Sequence, residues 1–483
     1  MPPTGRTDGV NPAEGELLRD VQACVYARSD ADLLAALPTL PHAVPDPVAL
    51  VRAVLLRDHR PLASGVYMDQ HFVHPFLRDD YPEEVLHFHV PEGYRPDTPF
   101  PLAIFLHGGG DGTSRAYSAT CLQPDSHVRQ FLAWAGVIGV APSNLLLSTH
   151  QRWSTVESDR YLSAVIEEAG YRFRIDPDRV ILLGQSMGAM GSYHVVQTMG
   201  DRFAAVGAHA GAWNFGFWEG LRGTWFGIMH GAQDQVAGAR PKFTDIFYAR
   251  LAHALLSGYH VPHVYREEAG GHTLNSGPAL ESARAFFSDA LQRRRAACPP
   301  YIVTASAKGS HGLVPTPHWF WVSVDCVGLG SICYDGARLI GPNFNDGDFR
   351  YASHEAQGQG VVRADNCGEN LFAVTTENVE AFTLWLSAGM VDFARPVRVE
   401  VNGHSVAERR MTPNLPDTLR SWRRHRDPGL LSPARLPVTL TPEQQRPVEK
   451  PSGPQPSVWE TIKDYEELPD GRWRRVVGRV EGM

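Results

Sequence analysis

The chain has 483 residues, 43% hydrophobic and 20% charged, which is ordinary globular composition with room for roughly two to four domains. Its formal net charge of −8 excludes a generally basic, nucleic-acid-binding surface. Met1 to Asp20 carries no basic-then-apolar leader, and no run approaches the ~18 apolar residues of a membrane span, so the sequence as given reads as cytoplasmic and soluble.

Residues 1–66 show helical spacing in Leu17, Leu18, Val21, Cys24 and Val25, then in Leu33, Leu34 and Leu37, and again from Val48 to Leu56. This predicts a small helical segment that packs on the next part of the chain. From residue 67 to 298 strands alternate with helices. Val85–Val90, Pro101–Leu106, Val137–Val140, the run ending at Leu183, Ala204–Ala208, Trp225–Met229 and His263–Glu267 read as strands. Helices are expected at Val128–Ala135, Thr155–Phe173, after Ser186, at Lys242–Leu256 and at Ala279–Arg295, with a turn at Ile175–Asp178. Alternating βα units predict a doubly wound, mostly parallel sheet covered on both faces. Cys298-Pro299-Pro300 breaks the rhythm. Residues 299–441 are β-rich, in Trp319–Val322, Asn370–Thr375, Ala381–Leu386 and Val397–Val401, which predicts an antiparallel β-sandwich-like domain. Residues 442–483 read as a Pro-rich linker and a charged, disordered tail.

Two basic runs stand out. Arg293 to Arg295 close a predicted helix, where cations suit the dipole, and the arginines between Arg420 and Arg426 read as a solvated face. The six cysteines include no Cys-x-x-Cys pair, which argues against a zinc or dithiol site. Buried thiols are the expected state, although Cys326 and Cys333 are spaced to meet across a hairpin.

The most informative segment is Arg179-Val180-Ile181-Leu182-Leu183-Gly184-Gln185-Ser186-Met187-Gly188. An apolar β-branched run ends in Gly-x-Ser-x-Gly and enters a helix, the pattern of a nucleophile elbow. A serine hydroxyl needs a base within hydrogen-bond reach and an acid to orient that base. On such an elbow the acid and then the histidine come later in chain order, each at a strand end. Asp234, in His230-Gly-Ala-Gln-Asp234, and His272, in Gly270-Gly-His272-Thr, meet both placements. Asp201 and Asp245 are weaker rivals because they fall in or beside predicted helices. The oxyanion of an acyl-transfer intermediate needs backbone N–H donors. Met187 is one candidate; the loop His107-Gly108-Gly109-Gly110 supplies the other, from Gly109 or Gly110. His107 and His230 read as structural partners of their loops. His71, His74, His87 and His89 lack carboxylate or cysteine ligands at a known spacing, so no metal and no cofactor are expected. Trp213, Phe215 and Trp218, with Trp153, are candidates for a substrate-binding wall, with plain packing as the equal alternative.

With these motifs the stretch from about 70 to 297 resembles the α/β-hydrolase superfamily. Ile175-Asp-Pro-Asp-Arg-Val180 before the elbow is similar to the bacterial prolyl-oligopeptidase-like and feruloyl-esterase-like branch. The resemblance implies a Ser186, Asp234, His272 triad. Thr376 to Leu384 and Pro396 to Gly403 resemble a β-domain appended to some of these esterases. Relatives are often exported, whereas no signal peptide is visible here. No β-propeller precedes the hydrolase-like part, which favours an esterase over a prolyl-oligopeptidase-type peptidase. The expected function is thus a serine carboxylic ester hydrolase acting on a small-molecule or carbohydrate-linked ester. A serine peptidase is the alternative, and a non-catalytic scaffold a second one.

Overall fold

Residues 12–56, 62–109, 114–145, 153–212, 218–221, 223–234, 244–274, 277–306, 318–339, 349–446, 465–467 and 473–475 are described by a computed structural model of the chain. Three helices come first, α1 (Pro12–Val25), α2 (Asp30–Ala36) and α3 (Pro47–Leu55). After them come β1 (Gly65–Gln70), β2 (Leu86–Val90), β3 (Phe100–Leu106), α4 (Ser114–Thr120), α5 (His127–Ala135) and β4 (Ile138–Pro142). The chain continues through α6 (Val156–Arg172), β5 (Ile175–Gln185), α7 (Met187–Thr198), β6 (Ala205–His209) and β7 (Trp225–Gly231). Helix α8 (Ile246–Gly258), strand β8 (His263–Glu268) and helix α9 (Gly277–Leu291) complete this part.

The eight strands form one sheet in the order β1-β2-β4-β3-β5-β6-β7-β8. Strand β2 runs antiparallel to both β1 and β4, and every pairing from β4 to β8 is parallel. This is the doubly wound, mostly parallel sheet that the alternating βα units predict. Its strands alternate faces every residue. Leu102, Ile104 and Leu106 of β3 and Val180 and Leu182 of β5 enter the core beneath α6, α7 and α8. Ala103, Phe105, Ile181 and Leu183 enter the opposite core, under Phe131 of α5 and Phe286 and Phe287 of α9. Burial on both faces explains why these strands read as continuous apolar runs. Ile175 to Asp178, expected as a separate turn, belongs to β5. The strand absorbs it as an irregularity, because the β3–β5 register jumps between Phe100↔Ile175 and Leu102↔Val180. The Asp176 side chain accepts the Asp178 amide at 3.1 Å and holds that kink.

The β-rich part contains β9 (Tyr301–Ser306), β10 (His318–Trp319), β11 (Val322–Val327), β12 (Ser331–Leu339), β13 (Phe349–Gln357) and β14 (Gly360–Asn366). It continues with β15 (Leu371–Glu377), β16 (Val379–Leu386), β17 (Val397–Val401), β18 (His404–Arg409), helix α10 (Leu415–His425) and β19 (Ala434–Thr439). Sheets β10-β11-β16-β19 and β18-β17-β15-β14-β9 share a core that includes Trp319, Trp321, Phe372, Phe382 and Val399. The arrangement departs from the expected all-antiparallel sandwich, since β15 and β17 pair in parallel. In the tail, expected as disordered, β20 (Tyr465–Glu467) and β21 (Trp473–Arg475) pair antiparallel.

The N-terminal helices are present, but their packing partner lies at the other end of the chain. Val21, Cys24, Leu33, Val51 and Val54 form one core with Leu415, Leu419 and Trp422 of α10. The Trp422 indole donates to the Val25 carbonyl at 3.0 Å across 397 residues of sequence. The arginines expected on a solvated face complete this contact: Arg423 binds Asp30 at 2.6 Å and the Ala27 carbonyl at 2.9 Å, and Arg426 stands over the Trp422 ring. Nor do Arg294 and Arg295 act merely as dipole partners. Arg294 pairs with Asp176 at 2.6 Å, and the buried Arg295 bridges Asp427 and Asp178. Cys24, Cys121, Cys298, Cys326 and Cys367 form no disulfide; contrary to expectation Cys326 and Cys367 are exposed, and the Cys333 side chain lies outside the described residues. Among the described residues no helix is long and apolar enough to cross a membrane.

Trp422→Ala should cost about 3–5 kcal/mol, the usual toll of removing a buried tryptophan, and should expose the linkers between α1 and α3 to protease. Urea denaturation with limited trypsinolysis checks this. Unchanged stability and an uncut N-terminus would show that the two ends do not depend on each other.

Candidate active site

Ser186 occupies the turn between β5 and α7 with φ 57° and ψ −116°, a backbone state that non-glycine residues rarely adopt. Close packing leaves room only for glycine on either side. A Cβ at Gly184 would overlap the Gly188 carbonyl, and one at Gly188 would overlap the Leu106 carbonyl. The turn is pinned by its own hydrogen bonds. The Ser186 amide donates to the His209 carbonyl at 2.9 Å, and its carbonyl accepts from Ala189 at 2.9 Å and Met190 at 3.1 Å.

The structure brings the three residues selected from sequence together. Ser186 Oγ lies 2.8 Å from His272 Nε2, and His272 Nδ1 lies 2.8 Å from Asp234 Oδ2. A carboxylate only accepts, so His272 Nδ1 carries the ring proton and Nε2 is the acceptor that faces the serine hydroxyl. The loops after β7 and β8 are tied to each other, which fixes Asp234 against His272: Ala232 N–H donates to the Glu268 carbonyl and Gln233 N–H to the Gly270 carbonyl, both at 2.8 Å. The Gln185 side chain adds a bond to the His272 carbonyl at 3.3 Å. The His272 side chain is 44% exposed and that of Asp234 9%, so the imidazole opens to solvent while the carboxylate is enclosed.

Asp234 has a second donor. His230 Nε2, fully buried, lies 3.0 Å from Asp234 Oδ2 and 3.0 Å from the Thr244 carbonyl; with two acceptors before it, that nitrogen carries the proton. Burial works to raise the Asp234 pKa, but the hydrogen bonds from His230 and His272 outweigh it and hold the carboxyl below its ordinary value. Asp245 caps α8 through the Phe247 amide, and Asp201 lies far along the chain beyond α7, so neither rival reaches His272.

Met187 opens α7, where amides have no intrahelical acceptor. The glycine loop runs beside it: a Cβ at Gly108 would stand 3.4 Å from Ser186 Cβ, and one at Gly109 3.4 Å from Met187 Cβ. Gly110 lies outside the described residues. His107 fixes this loop by bonds to the Gly108 carbonyl at 2.6 Å and Ser114 Oγ at 2.7 Å.

The aromatic candidates fare differently. Trp153 is wholly buried, its indole donating to the His107 carbonyl at 3.2 Å, and Trp218 is 1% exposed against Tyr193. Both are core residues that support the site from behind, a correction to the substrate-wall reading. Trp213 and Phe215 lie outside the described residues. His87 and His89 are also separate structural residues, bonded to Ser118 and to the Val137 carbonyl. One feature escaped sequence reading. His209 and Glu268, buried at the ends of β6 and β8, meet at 2.6 Å across the end of β7, and the His209 carbonyl is the one that holds the Ser186 amide.

No family model matches the chain. The bifunctional acetylxylan esterase/xylanase of Neocallimastix patriciarum is 25% identical over 183 residues, 36% of this chain and 26% of that protein, so the match spans about a quarter of the curated relative. Similar solved structures include a thermostable esterase (18% identity, TM-score 0.34, 44% of this chain and 60% of that one). The carboxylesterase of Bacillus cereus is also similar (15% identity, TM-score 0.33, 44% and 98%). So is a ferulic acid esterase of Anaeromyces mucronatus (18% identity, TM-score 0.33, 49% and 94%). These likenesses are distant.

His230→Phe removes a donor from Asp234 and should raise the carboxyl pKa toward or above its ordinary value, as followed by carboxyl-carbon NMR titration. In the parent the depressed pKa stabilises the fold above the unfolded value of about 3.9, and that contribution is lost as pH falls through the folded value. The variant should therefore lose stability at neutral pH more than at pH 3. An unmoved Asp234 titration would mean that His230 does not bear on the carboxylate.

Proposed function

We propose that the protein is a serine-dependent carboxylic ester hydrolase. The observation that carries this reading is the Ser186–His272–Asp234 relay, two 2.8 Å contacts in the right order on a strained turn. Ser186 Oγ attacks the ester carbonyl while His272 Nε2 takes its proton. The Met187 N–H, with Gly109 or Gly110, then holds the oxyanion, a contribution of about 3–4 kcal/mol per donor. The protonated His272 passes its proton to the leaving alcohol as the tetrahedral intermediate collapses to an acyl-enzyme. Water, deprotonated by His272, attacks the acyl carbon, and a second collapse frees the acid and restores Ser186. Asp234 keeps the ring in the required tautomer and stabilises the imidazolium; His230 steadies Asp234. Nucleophile, base and oxyanion donors all come from the chain itself.

The likeness to an acetylxylan esterase/xylanase supports small-molecule or carbohydrate-linked esters as the substrate class. Trp213 and Phe215, beyond β6, are the remaining candidates for contact with the acyl or sugar part. In this proposal residues 67–298 form the catalytic unit, residues 1–66 and 299–441 are accessory to it, and 442–483 form a linker and tail.

Hydrolysis of p-nitrophenyl esters of increasing acyl length, set beside peptide anilides, tests the reading. Ester turnover should fall by about 10³-fold or more in Ser186→Ala and His272→Ala, with no anilide turnover in the parent. Anilide cleavage with poor ester turnover would turn the assignment to a peptidase. Ester turnover that survives Ser186→Ala would reject it.

A further inference from the structure

At the far end of α7, where the large sheet meets the β-rich part and α10, three ligand-type side chains converge. Asp201 comes just after α7, His318 opens β10, and His425 ends α10; one donor atom from each lies within 4.8 Å of the others. The His318 and His425 rings stand at right angles with centroids 4.9 Å apart. His425 is 3% exposed, and among the described residues neither of its ring nitrogens has a hydrogen-bond partner. A buried polar ring with both nitrogens unpaired is costly, and an ion or water is the usual explanation.

The charges around the cluster sharpen that choice. Arg202, Arg295 and Arg424 all lie near, but Asp427 takes Arg202 and Arg295, Asp178 takes Arg295 again, and Asp325 takes Arg424. Asp201 has no ion pair among the described residues. It accepts the Phe320 amide at 3.1 Å. One buried carboxylate and two imidazoles, with donor atoms within 4.8 Å of one another, are the donor set of a Zn²⁺-class ion, with water as fourth ligand.

We propose that Asp201, His318 and His425 bind one divalent transition metal ion that ties the β-rich part and α10 to the end of α7. Bonds of about 2.0–2.1 Å would draw the donors to roughly 3.3 Å apart. The three ligands are spread over 225 positions of the chain, so no local spacing reveals them. The ion is structural: α7 separates it from Ser186 by roughly 18 Å of helix. This site does not depend on the esterase reading.

The test uses the full chain, stripped with chelator and desalted, then titrated with Zn²⁺. Bound metal is counted by elemental mass spectrometry and stability followed by Tm. The expected result is one tightly held ion per chain and a rise in Tm that chelator reverses. His318→Ala and Asp201→Asn, each checked for folding, should weaken binding by about 100-fold or more. Co²⁺ on the unmodified chain should give the intense visible bands of a tetrahedral site, which keeps the test valid if a variant misfolds. Absent uptake, Tm unchanged by Zn²⁺, or binding undiminished in a folded His318→Ala would overturn the proposal. The last would direct attention to other histidine pairs such as the half-buried His253 and His263, whose ring nitrogens lie 2.7 Å apart.

Discussion

The tight turn at Ser186 is the constraint on which the rest depends. Its positive φ sits where β5, α7 and β3 approach so closely that Gly184 and Gly188 admit no side chain. That approach sends the serine hydroxyl out over the strand ends. It also starts α7 directly after the serine, where the first amides have no intrahelical acceptor, and brings the Gly108–Gly109 loop alongside. Each of these is a property of backbone packing rather than of any one reactive group.

Around that turn, the parallel sheet acts as a positioning frame. Strands β6, β7 and β8 deliver His209, Asp234 and His272 from successive strand ends, and bonds between their loops fix the distances. Asp234 is held from two sides by imidazole donors, so its charge is stabilised although it is nearly enclosed. The His209–Glu268 pair braces the same end of the sheet and reaches the serine through a backbone carbonyl. Behind the site Trp153 and Trp218 fill the core, which keeps the glycine loop and α7 in place.

Features that a sequence can show are those set by short range or by chain order. The runs of β3 and β5 were legible because both faces are buried, and the meeting of Asp234 and His272 because the connection order of the sheet puts both at neighbouring strand ends. Contacts made by register across intervening strands were not legible; His209 meets Glu268 over the end of β7, and nothing near either residue marks the other. The same holds for Trp422 against Val25, which joins opposite ends of the chain, and for the arginines of α10, whose basic run looks like a surface until the N-terminal helices cover it. Trp153 and Trp218 misled for a related reason: aromatic composition at a sheet edge does not say which rings turn inward.

The central claim is that the strained turn and His272 together make the Ser186 hydroxyl a nucleophile. Reaction of the native protein with a fluorophosphonate, followed by peptide mapping, tests it most directly. The predicted result is a single adduct on Ser186 that forms far more slowly in a folded His272→Ala variant. A folded protein that takes no label, or takes it on another residue, would contradict it.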